Sequence, residues 1–238
     1  MRYYVEEAGR TIESGRIWRS GRGSLSYRMC FLGEEELPEI LQLQEEVALA
    51  LPDPEIFILH GRDDLQGALG LSVIGIRSEG RLAAYSMVRI PSEDDLGAEI
   101  GIPQRSSVIH LQATAVHPSY RGFGLQRRMI LAHLKVIREM GYRHICCTVS
   151  PKNPVSLANF LSCGFLIRGL AQRTRGWWRY ILHREALPSQ VIWGDERIDI
   201  NASDIHGQVS LLKEGFLGCG VAIGGEGAVV SYRRPRIP

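Results

Sequence analysis

Apolar positions along the chain switch between a period of two and a period of three to four, which sets the first reading of the fold. The first clear strand is at 27–32, and a helix follows from about Glu34 to Leu51. Its apolar positions Leu37, Ile40, Leu41, Leu43, Val47 and Leu51 recur mostly at three- and four-residue steps, and Pro52 closes it. A second helix is predicted near 63–68, opening on two acidic residues as a helix N-terminus favours. Strands at 72–77 and 82–90 follow, joined by Ser78-Glu79-Gly80-Arg81, a hairpin turn signal. Residues 91–107 mix Ser, Asp, Gly and Pro and read as a surface loop. Next come a strand at 108–116, a helix at 125–140, a strand at 143–149, a helix at 154–163 and strands at 165–172 and 177–183. Beyond Pro188 the pattern resumes with a strand at 190–200 and a helix at 204–214. A hairpin of 216–223 and 229–233, turned by Gly224, Gly225 and Gly227, completes it. Such alternation predicts an α/β (α+β) architecture, a central sheet flanked by helices. Residues 1–25 lack the periodicity, carry repeated Gly, Ser and Arg, and read as a poorly ordered basic arm, with a short strand or helix docked on the body as the alternative. The tail beyond 188 is short for an independent fold and is expected to dock on the main body.

Composition narrows the class. A hydrophobic content of 45% and a charged content of 23% over 238 residues exclude wholesale disorder. A net charge of +2 is too small to announce a nucleic-acid surface, and no nucleic-acid partner is expected. No window approaches the ~18 apolar residues of a membrane span, so no membrane partner is expected either. The first residues lack the apolar stretch of a secretory signal, which points to a cytoplasmic protein. Cys146 and Cys147 are adjacent while Cys30, Cys163 and Cys219 are scattered, a pattern of reduced core thiols. The histidines show no paired spacing, so no metal is expected.

Candidate chemistry centres on one strand–loop–helix. Gly122 and Gly124 lie between the 108–116 strand and the 125–140 helix, where they let backbone N–H groups approach a ligand. The helix adds unsatisfied N–H groups and a positive dipole end, so the turn suits phosphate oxygens. Arg121, Arg127 and Arg128 crowd that end, where cations are unfavourable, as if an anion supplied the missing charge. An ordinary tight turn with solvated arginines is the alternative. A dinucleotide-binding loop is excluded because Arg127 stands where its third glycine belongs. A nucleotide P-loop would need Gly-Lys-Ser/Thr, which is absent.

The run Val116-His117-Pro118-Ser119-Tyr120-Arg121-Gly122-Phe123-Gly124, entering a helix, resembles the acetyl-CoA-binding motif of the GNAT acetyltransferase superfamily. Downstream, residues 153–165, an Asn followed by a short helix ending in Gly164-Phe165, resemble the family's second motif. The resemblance spans roughly residues 27–186 and implies a GNAT fold with a mixed, mostly antiparallel sheet. It implies that Arg121, Gly122, Phe123, Gly124, Leu125 and Gln126 supply amides to the CoA pyrophosphate. Ala115 and Val116 would meet the pantetheine arm, and the Val116 N–H would serve the oxyanion. Asn153 would hold the cofactor near the thioester; it also reads as an N-cap before Pro154, and the two roles are compatible. Gln126 replaces the small residue usual at the end of the first motif. Phe160 occupies the place where many relatives carry a tyrosine that protonates the departing thiolate, and phenylalanine has no proton to give.

Amine acetylation also needs a base or an ordered water. His110 falls where relatives often place a glutamate, and its unperturbed pKa near ~6.5 suits the task; a satisfied strand histidine or a substrate contact are the alternatives. On its strand Ile109, Leu111, Ala113 and Ala115 form one face, with His110, Gln112 and Thr114 on the other. Cys146 and Cys147 read as buried apolar residues rather than an acyl-enzyme nucleophile. Trp177 and Trp178, among Arg173, Arg175 and Arg179, read as core or as a stacking surface for nucleic acid. Arg233, Arg234 and Arg236 read as a solvated tail. The expectation is therefore an acetyl-CoA-dependent N-acetyltransferase acting on a primary amine, a small molecule first, with the acceptor unspecified. A non-catalytic acyl-CoA-binding regulator of the same fold is the alternative. A flexible arm (1–25), an acetyltransferase domain (26–187) and a C-terminal α/β extension (188–238) are expected, the last a candidate homodimer surface.

Overall fold

The computed structural model describes residues 8–69, 73–91, 95–187, 190–225 and 227–236. In chain order it begins β1 (Thr11–Arg19), β2 (Gly23–Phe31), α1 (Leu37–Leu49), α2 (Arg62–Leu69), β3 (Val73–Ser78) and β4 (Arg81–Arg89). It continues α3 (Leu96–Glu99), β5 (Val108–Val116), α4 (Leu125–Glu139), β6 (His144–Val149), α5 (Pro154–Ser162) and β7 (Leu166–Gln172). The last elements are β8 (Trp178–Glu185), β9 (Trp193–Asn201), α6 (Ile205–Lys213), β10 (Leu217–Gly224) and β11 (Gly227–Pro235). The fold is mixed α/β with a mostly antiparallel sheet, and the predicted elements recur within a few residues of their expected ends. Ser72, the predicted start of β3, lies outside the described residues.

The chain forms two compact units. One takes the chain to Ile90 together with Leu111–Met140, and the other takes Pro91–His110 with the chain from Gly141 onward.

In the first unit the strands run in the order β1-β2-β3-β4-β5. The β3–β4 turn places Glu79 and Gly80 at φ 52° and 80°, and Ser78 pairs with Arg81, as a two-residue hairpin requires. One sheet face packs on α4 through Met29, Ile74, Ile76, Met129, Ala132 and Val136. The other carries Tyr85, Met87, Ala113 and Ala115 against Leu37, Ile40, Leu43 and Val47 of α1 and Leu65 of α2.

The expected disordered arm is corrected for residues 11–25. Thr11–Arg19 is a strand paired antiparallel with β2, from Thr11↔Cys30 to Arg19↔Gly23. Its Gly/Ser/Arg run is a hairpin turn, with Gly21 and Gly23 at φ 75° and 79° and Arg22 N donating to Arg19 O at 3.0 Å. Only Ile17 of β1 is buried, with half-buried Ile12 beside the same core, so the strand's alternation was too weak to read from sequence.

In the second unit β5 pairs in parallel with β6 over three residue pairs, from Val108↔His144 to His110↔Cys146. From β6 the order is β8-β7-β10-β11-β9. The tail docks as expected: Gly218 of β10 pairs with Ile167 of β7. Gln208 of α6 is fully buried and satisfied, accepting from Tyr180 Oη (2.8 Å) and Tyr232 Oη (3.0 Å) and donating to Ala202 O (3.0 Å). Residues 91–107 were expected to be loop throughout, but Asp95 caps a short helix there by accepting from Gly97 N at 2.9 Å. Of the C-terminal arginines expected to be solvated, Arg234 and Arg236 are exposed, while Arg233 is half-buried. Arg233 lies 5.7 Å over the Trp193 ring and donates to Gly194 O, Arg234 lies 4.5 Å over Phe216, and Arg236 pairs with Asp195. Antiparallel β9–β11 pairing brings Arg233 and Arg236 to their partners on β9. Among the described residues no helix is long and apolar enough to cross a membrane.

Among the described residues the first unit's core holds two costly groups, the Tyr85 hydroxyl and the His133 ring. His133 of α4 is wholly buried, and neither ring nitrogen makes a well-formed hydrogen bond among the described residues. Desolvation pushes its pKa down to about 4, opposed by the Ser86 backbone. In the unfolded chain it titrates near ~6.5, so between the two values the unfolded state binds the extra proton. Stability is therefore full above the unfolded pKa and is lost as pH falls toward the folded one. Urea unfolding at about pH 5 should show a loss of about 2 kcal/mol relative to neutral pH from this residue alone. The His133→Leu variant should flatten that slope.

Candidate active site

Strand β5 ends at Val116, and the following turn is fixed from several sides. His117 Nδ1 accepts from Ser119 N at 3.2 Å, so its Nε2 carries the proton that reaches Glu46 Oε2 at 3.2 Å. His117 N donates to Ala83 O of β4 (2.9 Å), and Arg121 Nε reaches Val116 O at 3.4 Å. Gly122 and Gly124 then sit at φ 87° and 74°, the left-handed region that glycine adopts without strain. Gly124 is the N-cap of α4 and leaves its first amides with no side-chain cap. Phe123 and Leu125 point the other way, 7% and 2% exposed within the α4 core layer. Glycine and anchor alternate, so buried side chains hold the loop from beneath.

The expected arginine trio is divided by the structure. Arg128 turns to β1 and β2, donating to Glu13 Oε1 (2.7 Å) and Tyr27 Oη (2.9 Å) with its guanidinium 5.2 Å over the Tyr27 ring. Tyr27 Oη in turn donates to Glu13. That charge is answered within the protein. Arg127 is exposed, and Arg121 and Gln126 are half-buried at the loop.

The remaining candidates lie in the second unit. His110 is buried and its Nε2 accepts from Leu96 N at 3.3 Å, so one lone pair of the expected base is engaged by the start of α3. Asn153 caps α5: its Oδ1 accepts from Ser156 N at 3.1 Å, with Pro154 in the first turn. Phe160 is 4% exposed, its ring edge-on to Phe165 at 5.2 Å. Cys146 and Cys147 are buried, and desolvation pushes the Cys146 thiol up to about 12 and Cys147 also well upward. Neither is a thiolate at neutral pH, as the apolar reading expected. Arg175 and Arg179 lie 5.1 and 5.4 Å over the Trp177 ring, so its π-system is engaged by guanidinium groups within the protein. The structure thus brings Ala115, Val116 and Arg121–Gln126 together in one unit, and His110, Asn153 and Phe160 in the other.

Comparison with known proteins decides the family. Residues 35–165 match the model of the acetyltransferase (GNAT) family. The chain belongs to the GNAT family of acetyltransferases. The N-acetyltransferase of Staphylococcus aureus superposes with a TM-score of 0.54 at 12% identity, covering 68% of this chain and 99% of that one. The yncA protein of Salmonella typhimurium, solved with its cofactor acetyl-CoA, gives 0.54 at 15% identity over 68% and 95%. A GNAT-family acetyltransferase of Streptococcus pneumoniae gives 0.53 at 14% over 67% and 98%. No curated protein matches the chain in sequence.

As a GNAT acetyltransferase the protein uses acetyl-CoA, and its loop fits that group's phosphates. Uncapped amides, two left-handed glycines and cationic neighbours form a surface for an anion, and a side chain at either glycine would be strained there. Sequence reasoning missed the β1–β2 turn beside this loop. Its signal was the run Leu25, Tyr27, Met29, Phe31, an alternating strand that begins before residue 27 and needs a partner. In the acetyltransferase the capping role of Asn153 is measurable by itself. Asn153→Ala should lower stability by about 1 kcal/mol in urea unfolding, and Asn153→Asp should restore most of it.

Proposed function

We propose that this acetyltransferase passes the acetyl group directly to a primary amine of a small molecule within a ternary complex. Residues 26–187 would form the acetyltransferase domain and 188–238 a C-terminal extension. The observation that carries the reading is the uncapped start of α4 behind Gly122 and Gly124. Acetyl-CoA, when bound, supplies an activated thioester carbonyl. The amides of Gly122, Phe123, Gly124, Leu125 and Gln126 would bind its pyrophosphate, with Arg121 beside them. Main-chain groups of Ala115 and Val116 would hold the pantetheine arm, and the Val116 N–H would donate to the oxyanion. Asn153 would orient the acyl end while capping α5, and Phe160 would offer an apolar wall. With no tyrosine at 160 the chain supplies no acid from that position, a need relaxed by the free thiol pKa near ~8.5.

The amine must lose a proton before attack. His110 could take it only by giving up the bond from Leu96 N, so its geometry supports a structural role first. We expect His110→Ala to keep the pH dependence of acetyl transfer between about pH 6 and 9 and to lower the melting temperature. Loss of an acid-side limb near pH ~6.5 would instead assign it as the base. Calorimetric titration tests the site itself. Acetyl-CoA and CoA should bind and NADH should not. Gly124→Asp should abolish binding, because its carboxylate would bring negative charge to the anion's place. Binding without thiol release across an amine library would favour the non-catalytic acyl-CoA reading.

A further inference from the structure

The matched family segment begins at residue 35, so the β1–β2 hairpin lies ahead of it. Its turn nevertheless comes to the glycine loop. A Cβ placed on Gly122 would lie 3.2 Å from both Nε and Cζ of Arg22, and one on Gly124 would lie 3.5 Å from Nη2 of Arg19. Arg22 Nη1 also donates to the carbonyl of Arg121 at 2.7 Å. The turn is fixed by pairing of Arg19 with Gly23 and by the Arg22 N to Arg19 O bond of 3.0 Å. Beneath it Ile17, Leu25 and Tyr27 are buried in the same core cluster as Phe123 and Leu125. The Arg128–Glu13 pair ties β1 to α4 a second time.

These contacts put two more guanidinium groups at a helix end that already repels cations. Glu13 answers Arg128, but among the described residues Arg19 and Arg22 enter no ion pair, and both are exposed. Arg22 is held by a backbone carbonyl, a bond that leaves its charge uncompensated. A planar fork over left-handed glycines is suited to phosphate oxygens, which accept paired N–H bonds while the amides bind from the other side.

We infer that Arg19 and Arg22 of the β1–β2 turn are phosphate-binding residues of the acetyl-CoA site. The inference rests on the reading of the Arg121–Gln126 loop as the pyrophosphate site. It makes the N-terminal hairpin part of the cofactor site.

The test is titration of the full chain with CoA, for the unmodified protein, Arg22→Gln, Arg19→Gln/Arg22→Gln and, as a control, Arg16→Gln. Arg16 is exposed on the same hairpin and reaches Ser26 Oγ at 3.3 Å. The double variant should raise Kd by about tenfold or more and flatten its dependence on salt. Arg16→Gln should leave Kd unchanged, and all variants should melt together. CoA should also protect the unmodified hairpin from trypsin cleavage after Arg19 and Arg22. Equal Kd and equal salt dependence for the unmodified protein and the double variant would overturn the inference while leaving the loop reading intact. Absence of CoA binding by the unmodified, folded protein would overturn both.

Discussion

A helix start can bind an anion only if its first amides are left unsatisfied, and an unsatisfied helix end must be held by something other than a cap. In this protein the holding is done by Phe123 and Leu125, buried beneath the loop. Burial of two such side chains is worth about 1.5–3 kcal/mol each, more than the roughly 1 kcal/mol that a capping side chain would contribute. The glycines on either side of Phe123 are the condition for this arrangement. Two left-handed positions in three residues send the anchors one way and the amides the other. The strand, the turn and α4 all serve to hold that alternation in place.

Charge follows the same economy of placement. A net charge of +2 describes the chain poorly, because arginine is concentrated where the α4 dipole is already positive. One guanidinium, Arg128, is neutralised by Glu13 and laid over Tyr27. Among the described residues Arg19 and Arg22 have no such acid, and they lie over the glycines. The distribution separates a structural arginine, which ties hairpin to helix, from arginines suited to an incoming anion.

Each unit also buries a polar group, with opposite outcomes. Gln208 meets two tyrosine hydroxyls and two backbone carbonyls, so its burial fixes the arrangement of β8, β11 and α6. Among the described residues His133 finds no comparable partners, and it stays neutral at the cost of acid stability. The neighbouring hydroxyls of Ser86 and Thr114 satisfy one another at 3.1 Å. That pair answers the polar face of the 108–116 strand at Thr114.

The sequence by itself determined the family, the candidate loop and nearly every strand and helix. Those features rest on local chemistry: the two-residue Glu79-Gly80 turn, the Asn153-Pro154 helix start, and the Gly122-x-Gly124 run entering an amphipathic helix. It did not reveal β1, whose single buried residue gives no periodicity until Leu25, Tyr27 and Met29 are paired against it. Nor did it distinguish Arg128 from the other arginines of the loop, since Glu13 lies 115 residues away along the chain. His110 stood as a base on its residue type and position, and only folding brought Leu96 N to its ring. The placement of Arg19 and Arg22 over the glycines belongs to the same class. Pairings between distant segments are set by how the sheet and α4 pack, and no local pattern encodes them.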